Sequence, residues 1–342
     1  VRILLIDPGP AFSVRDVYTG WRDAFRQLGC QVAEFNLGDR CDFYTQVLYR
    51  RDGEVQRALD DEQALRLAMN GIKAACYEFW PDVVLVVSAF YIPKGIYDLL
   101  RSRRHKLGIL HTEEPYEHDR QLERASWVDF NLINDPTNLD AFVEVNPYTW
   151  YVPHAYDPAI HCPGPADPDL ACDFAFVGTG YPSRMRFFEA VDWRDWKVTF
   201  AGNWQWTTPD SPIRRFLGHN IEACLPNTET VRLYQSCKAS ANLYRREAER
   251  PELSAGWAMG PREVELAATE TFFIREARRE GDDILNMLPI VSDPAEFGEV
   301  LAWWLAHDDQ REKAARAAHE AISDRTFEDH ARQLLTLISK ET

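Results

Sequence analysis

Apolar positions along the chain recur with two alternating periods. Short apolar runs at residues 2–7, 31–35, 82–88, 106–110, 130–134 and 150–153 read as strands, and the unbroken Val/Leu run at 82–88 is the pattern of a buried parallel strand. Between them the period lengthens to that of a helix. Trp21, Ala24, Phe25 and Leu28 fall at i, i+3, i+4, i+7 spacing in a helix expected over 20–29, and further helices are expected at 59–79, 96–104 and 122–125. Such alternation predicts a doubly wound parallel sheet. A stretch at 158–168 then holds four prolines and a glycine, the composition of a domain boundary. Beyond it the alternation restarts, with strands expected at 172–177, 196–201, 240–243 and 271–274, and helices at 294–307, 310–323 and 326–339. The expected organisation is an N-terminal Rossmann-like domain over 1–157, a linker over 158–170, a second Rossmann-like domain over 171–323, and a C-terminal helix over 324–342 packing back toward the first domain. Two such sheets in tandem are expected to face each other across a cleft, with ligands at the carboxyl ends of the strands.

Length and composition agree with that picture. A chain of 342 residues exceeds one compact core, and its hydrophobic content of 45% is ample for two. No apolar run approaches the roughly 20 residues that span a bilayer, and the first, at 3–6, is too short for a signal peptide. The seven cysteines are scattered and form no C-x-x-C pair, which points to reduced thiols in the cytoplasm and away from disulfides or a zinc site. The net charge of −16 disfavours non-specific binding to nucleic acid. One local exception is the cluster Arg101, Ser102, Arg103, Arg104, His105, Lys106, with Arg50 and Arg51 as a possible neighbour, although cations also gather at helix C-termini for electrostatic reasons alone.

Candidate chemistry sits where strands give way to loops. Residues 7–16 form a βα loop longer than usual, in which Arg15 is a candidate anion contact and Asp16 a candidate general base or helix cap. It lacks G-x-G-x-x-G, so a dinucleotide fingerprint is unsupported. After the strand ending at 110 come His111, Glu113 and Glu114, suited to acid–base work or to holding sugar hydroxyls. His154, at a similar strand end, is a hinge or cleft residue, or a packed one. No metal site is expected: His111 and His118 have no common zinc spacing, and the D-x-D at Asp167 and Asp169 lies in the linker. In the second half, Gly178 and Gly180 form a turn whose N–H groups can approach an anion, with Ser183 and Arg184 completing the site and Arg245 at another strand end. A helix opening at Pro261 places Arg262 beside free N–H groups, with Glu265 one turn on to accept from a ribose. Arg184, Arg245 and Arg262 together can neutralise a diphosphate without a metal ion.

These segments resemble the GT-B glycosyltransferases, in particular the branch similar to bacterial spore-maturation proteins, many of them phage-encoded. The resemblance runs through Arg15-Asp16-Val17, Gly20-Trp21, Thr112-Glu113-Glu114-Pro115, Val152-Pro153-His154, Asp157-Pro158, Phe176-Val177-Gly178, Asn242-Leu243-Tyr244-Arg245, Pro261-Arg262 with Glu265, and the segment 326–335. It implies a two-domain GT-B fold, a nucleotide-diphosphate sugar (a UDP-sugar first) held by the C-terminal domain, and an acceptor held by the N-terminal domain. Glu265 would grip the ribose, and Arg262 and Arg184 the diphosphate side. Gly178, Gly180, Ser183 and Arg245 complete the expected donor set. Asp16, His111 and Glu113 are the expected catalytic residues, and Arg15, Glu114 and His154 the acceptor contacts. No metal or other cofactor is implied, and the location is bacterial cytoplasm, or host cytoplasm for a phage protein. Two departures stand out: Trp257 occupies the position eight before Glu265 where many retaining relatives carry glutamate, and Thr269-Glu270-Thr271 replaces the usual Ala/Cys-Gly. The acceptor, whether small molecule, glycan, protein or modified DNA base, stays open. The alternatives are a sugar-nucleotide epimerase on the same fold and a non-catalytic nucleotide-sugar-binding protein.

Overall fold

The computed structural model describes residues 1–9, 14–101, 104–218 and 220–340. Residues 10–13 of the first loop, and Ser102 and Arg103 of the basic cluster, lie outside the described residues. Contacts divide the chain into two units, the first comprising Val1–Val152 together with the chain from Ala331 on, the second Pro153–His330.

Unit 1 runs β1 (Arg2–Ile6), α1 (Arg15–Gln27), β2 (Gln31–Phe35), α2 (Leu37–Thr45), β3 (Leu48–Arg51), β4 (Glu54–Arg57), α3 (Asp61–Phe79), β5 (Val83–Val87), α4 (Lys94–Leu100), β6 (Lys106–His111), α5 (His118–Ala125), β7 (Phe130–Ile133), α6 (Leu139–Val145) and β8 (Thr149–Tyr151). Its main sheet is parallel throughout, in the order β2-β1-β5-β6-β7-β8. The apolar runs supply its core: Leu4, Ile6, Val84, Val86, Leu107 and Ile109 are almost fully buried against Phe35, Ala68, Ile72 and Tyr97. Helix α3 starts where Asp60 accepts from the Gln63 N–H while the Gln63 side chain accepts from the Asp60 N–H, a reciprocal capping box.

Unit 2 runs β9 (Cys172–Val177), α7 (Pro182–Glu189), β10 (Val198–Ala201), α8 (Asn227–Ser236), β11 (Cys237–Asn242), α9 (Pro261–Ala268), β12 (Phe273–Arg275), α10 (Arg279–Ile284), α11 (Pro294–Leu305) and α12 (Asp308–Ala321), and α13 (Phe327–Lys340) begins in it. Its parallel sheet has the order β10-β9-β11-β12. An aromatic core of Phe174, Phe176, Phe188, Trp193, Phe200, Trp204 and Phe297 fills the space around it. Phe176 and Phe188 meet edge-on with centroids 4.8 Å apart, the geometry that ring quadrupoles favour.

Most expected strands stand within two or three residues of their predicted bounds; the larger differences have local causes. Helix α1 begins at Arg15, not at 20, because the apolar face that revealed it lies in its later turns. The helix expected over 96–104 ends at Leu100, where Arg101 turns extended at ψ 124°. The hairpin β3–β4 was not expected: all eight of its residues are exposed, so it carries no burial pattern. The proline-rich stretch expected as a linker belongs to unit 2 and is tied to α8, with the Asp167 N–H donating to Ser236 Oγ at 2.9 Å and Gln235 Nε2 to the Cys162 carbonyl at 2.7 Å.

Candidate functional site

In unit 2, β9 lies between β10 and β11, so the chain order reverses at the β9/β11 pair. Open α/β sheets part their flanking helices at such a switch point, outside the carboxyl ends of the strands. Val177 ends β9 and Asn242 ends β11, and Arg262 reaches both: its Nε donates to the Val177 carbonyl at 2.8 Å and its Nη1 to Asn242 Oδ1 at 3.0 Å. The guanidinium lies 4.5 Å from the centre of the Phe176 ring. Gly178 leaves it room, since a Cβ there would stand 2.2 Å from Arg262 Nη2, and the backbone has φ +153°.

Helix α9 presents two different faces at its start. Pro261 takes the first helical position, where no N–H is needed, after an extended Gly260. Glu263 turns inward and is fully buried; its Oε2 accepts from the Gly260 N–H at 2.8 Å and from the Tyr244 hydroxyl. This is the return half of a capping box, the only half a glycine N-cap permits. Burial pushes the Glu263 carboxyl up to about 7, against the pull of its Tyr244 and Gly260 hydrogen bonds and of the Arg275 and Arg278 charges. Arg262 and Glu265, three residues apart, share the other face. Glu265 is half-buried, and its carboxylate accepts no hydrogen bond among the described residues.

Two more arginines gather at this end of the sheet. Arg184 is buried, its Nε donating to the Leu243 carbonyl at 2.9 Å and its Nη1 to that of Thr179 at 3.0 Å. Its guanidinium lies 5.7 Å from the Phe176 ring it shares with Arg262, and 5.1 Å from the Tyr181 ring, which Arg245 approaches at 5.8 Å. Arg184, Arg245 and Arg262 are thus brought together around two aromatic rings.

The expected roles of the glycine turn change. The Gly178 N–H donates to the Ala201 carbonyl at 3.0 Å and the Gly180 N–H to that of Asn203 at 2.8 Å, so neither is available to an anion. These glycines serve close packing instead, Gly180 because a Cβ would stand 2.4 Å from the Trp204 ring. Ser183 is also engaged within the chain: its N–H and hydroxyl donate to the Glu247 carboxylate at 2.9 and 3.0 Å. Burial works against that charge, but hydrogen bonds from Ser183 and from the Glu247 and Arg246 N–H groups outweigh it and hold Glu247 below the usual carboxylate range. Sequence reasoning missed Glu247, which sits 64 residues from its partner with no motif around it. It also missed Glu276, which accepts from the Tyr244 N–H at 2.6 Å and from Arg246 at 2.7 Å.

In unit 1, two expected roles are corrected. His111 is fully buried at the end of β6, its Nε2 2.9 Å from Asn131 Oδ1 and its ring edge-on to Phe142 at 5.3 Å. Burial lowers it to about 4, so it is a neutral packed histidine and not a catalytic base. Glu114 is buried too, its carboxylate occupied by His118 Nδ1, Gln121 Nε2 and Asn138 Nδ2 at 3.1 Å each, which removes it from acceptor contact. Glu113 and Asp16 are half-buried, Asp16 in the first turn of α1. Arg15 is exposed and pairs with Asp39 at 3.0 Å. His154 is half-buried and falls in unit 2. Asp7, which no motif marked, follows β1 as a buried carboxylate accepting from the Gly9 and Gly38 N–H groups at 2.7 and 3.1 Å. Among the described residues no group of three or more His, Cys, Asp or Glu side chains is placed to hold a metal ion, and no helix is long and apolar enough to cross a membrane.

Solved structures share this architecture along its whole length. Sucrose-phosphate synthase from Thermosynechococcus elongatus superposes with a TM-score of 0.67 at 11% identity, covering 99% of this chain and 98% of its own. Anabaena HepE, solved in complex with UDP-glucose, gives 0.61 at 12% identity over 99% of both chains. The fold is GT-B. A third neighbour, a putative UDP-N-acetylglucosamine 2-epimerase from Listeria monocytogenes, gives 0.60 at 12% identity over 100% of this chain and 97% of its own. Residues 184–336 match a glycosyl transferase-like family, and that segment contains Arg184, Arg245, Arg262 and Glu265. No curated protein matches the chain in sequence. The family match on a GT-B frame supports the glycosyltransferase reading; it does not single out the spore-maturation branch.

Proposed function

We propose that this protein is a glycosyltransferase that takes a nucleotide-diphosphate sugar, a UDP-sugar first, at the β9/β11 switch point of unit 2 and transfers the sugar to an acceptor hydroxyl without a metal ion. The observation that carries this reading is Arg262, pinned across the ends of β9 and β11 beside an open Glu265 carboxylate. The N–H groups at the start of α9 and the guanidiniums of Arg262, Arg184 and Arg245 stabilise the diphosphate, and Glu265 accepts from the ribose hydroxyls. In the transfer step the bond from the anomeric carbon to the diphosphate oxygen breaks, and the acceptor oxygen bonds to that carbon. Negative charge grows on the departing diphosphate, so cations already fixed by carbonyls and rings lower the barrier without reorganising. The acceptor proton passes to a carboxylate, with Asp16 and Glu113 of unit 1 the remaining candidates once His111 is set aside. Unit 1 recognises the acceptor.

A donor screen by mass spectrometry tests this reading. The expected result is release of UDP from one UDP-sugar, with Glu265→Ala weakening UDP affinity by about tenfold or more, as loss of a charged hydrogen bond of about 1.5–3 kcal/mol requires. No turnover and no binding of any common nucleoside diphosphate would overturn it. The Listeria neighbour gives the epimerase its standing as the second reading. Conversion of the donor into a stereoisomer with no acceptor present would favour that instead.

A further inference from the structure

At the end of the unit 1 sheet where the central strands β5 and β6 begin, the ends of α3 and α4 line a surface cavity of about 300 Å³ with Lys73, Tyr77, Trp80, Leu99, Arg101 and Arg104. Its lining combines exposed aromatic rings with cations. The aromatic part is exposed: Tyr77 is 77% accessible and Trp80 48%, and the two rings meet edge-on with centroids 6.4 Å apart. Trp80 also caps α3 in the left-handed region at φ 58°, a position that glycine fills at lower cost. Two of its cations are open. Arg104 lies over the Trp80 ring at 4.2 Å, while Lys73 and Arg101 pair with no carboxylate among the described residues.

Cations do collect at helix C-termini, and His105 answers that need here, its Nε2 2.8 Å from the Leu100 carbonyl. The two helix ends carry roughly half a negative charge each, which Lys73 and Arg101 together outweigh. The pocket therefore selects an anion, and its rings select one that carries a planar body. Guanidinium planes and aromatic faces stack on nucleobases, and Lys and Arg side chains hold phosphate. The volume lies at the small end of ligand sites and matches one nucleotide, not a chain of them. The net charge of −16 points the same way, since a long polyanion meets repulsion beyond the patch.

We propose that this pocket is a second nucleotide site, which binds a single nucleoside phosphate with its base stacked on the Trp80–Arg104 platform and its phosphate between Lys73 and Arg101. It lies at the end of its own sheet away from the strand carboxyl ends and does not depend on the donor reading of unit 2.

The test is fluorescence anisotropy of methylanthraniloyl-labelled AMP on the full chain and on its Glu265→Ala variant, in which the donor site of unit 2 is weakened. Binding that Glu265→Ala leaves unchanged, and that the double variant Lys73→Glu/Arg101→Glu weakens by about tenfold or more, is expected from loss of two phosphate contacts at a site apart from the donor site. Trp80→Ala is expected to weaken it several-fold. All these side chains are exposed, and an unchanged melting temperature of each variant checks the fold. Three outcomes would overturn the proposal: binding unaffected by the double variant, binding lost in Glu265→Ala, or inorganic phosphate competing as well as AMP, which would leave an anion patch with no base recognition. A short oligothymidylate competing far better than AMP would reassign the pocket to single-stranded nucleic acid and overturn the mononucleotide assignment.

Discussion

At the scale of single residues, what could be read in the sequence was chemistry type, and what could not was the direction a side chain faces. Arg184, Arg245 and Arg262 were recognisable as cations at helix starts and a strand end, and the fold gathers them around Phe176 and Tyr181. Glu263 and Glu265 stand two apart on one short helix, yet one is fully buried and the other open. Only the packing of α9 decides which. Two predictions belong here. Gly178→Ala would drive a Cβ into the Arg262 guanidinium and oppose a positive φ, so UDP affinity is expected to fall by about tenfold while stability drops by about 1–2 kcal/mol. Calorimetric titration with UDP beside a thermal melt separates the two effects, and unchanged affinity would contradict the assigned role of Gly178. The second concerns pH. Glu263 titrates at about 7 in the folded protein, above its unfolded value, so its contribution is present in full below about 4.5 and is lost as pH rises through 7. His111 works in the other direction: held down to about 4, its contribution is present above about 6.5 and is lost as pH falls through 4. Urea unfolding from pH 5 to 8 should therefore show Glu263→Gln gaining relative stability as pH rises, by up to a few kcal/mol. A constant difference between the two proteins across that range would show that Glu263 ionises normally.

At the scale of elements, legibility followed burial. Strands such as β9 and β5 were visible because both faces are covered and the apolar run is continuous. The hairpin β3–β4 was invisible for the converse reason, its residues being exposed on both faces. A two-stranded hairpin with no buried face adds little stability. Replacing residues 48–57 by a short Gly/Ser turn is therefore expected to shift unfolding free energy by less than about 1 kcal/mol. A larger loss in a urea melt would mean that the hairpin packs on something its exposure does not reveal. Helix ends were the weakest part of the reading, because they are set by caps and carbonyl partners and not by periodicity. Ser183 at the start of α7 shows this: a proposed anion contact proved to be held by Glu247, an acid from a distant loop.

At the scale of the whole molecule, the repeated βα alternation was enough to indicate two Rossmann-like units, and the structural neighbours place them in the GT-B fold. The division at Val152 was less legible. Prolines at 158–168 suggested a linker, but proline marks chain that cannot continue a helix, which includes ordered chain packed on α8. The central claim is that a nucleoside diphosphate sits on unit 2, at the β9/β11 ends and the start of α9. A ligand that binds only the folded state stabilises it by about 2.7 kcal/mol at one hundred times its Kd, and it slows hydrogen exchange most where it sits. Hydrogen–deuterium exchange with and without saturating UDP reads this directly. The account predicts slowed exchange in the peptides covering residues 177–184, 242–247 and 260–266, with the slowing about tenfold smaller in Glu265→Ala. Exchange unchanged in all three segments, or slowed equally in the Glu265→Ala variant, would contradict it.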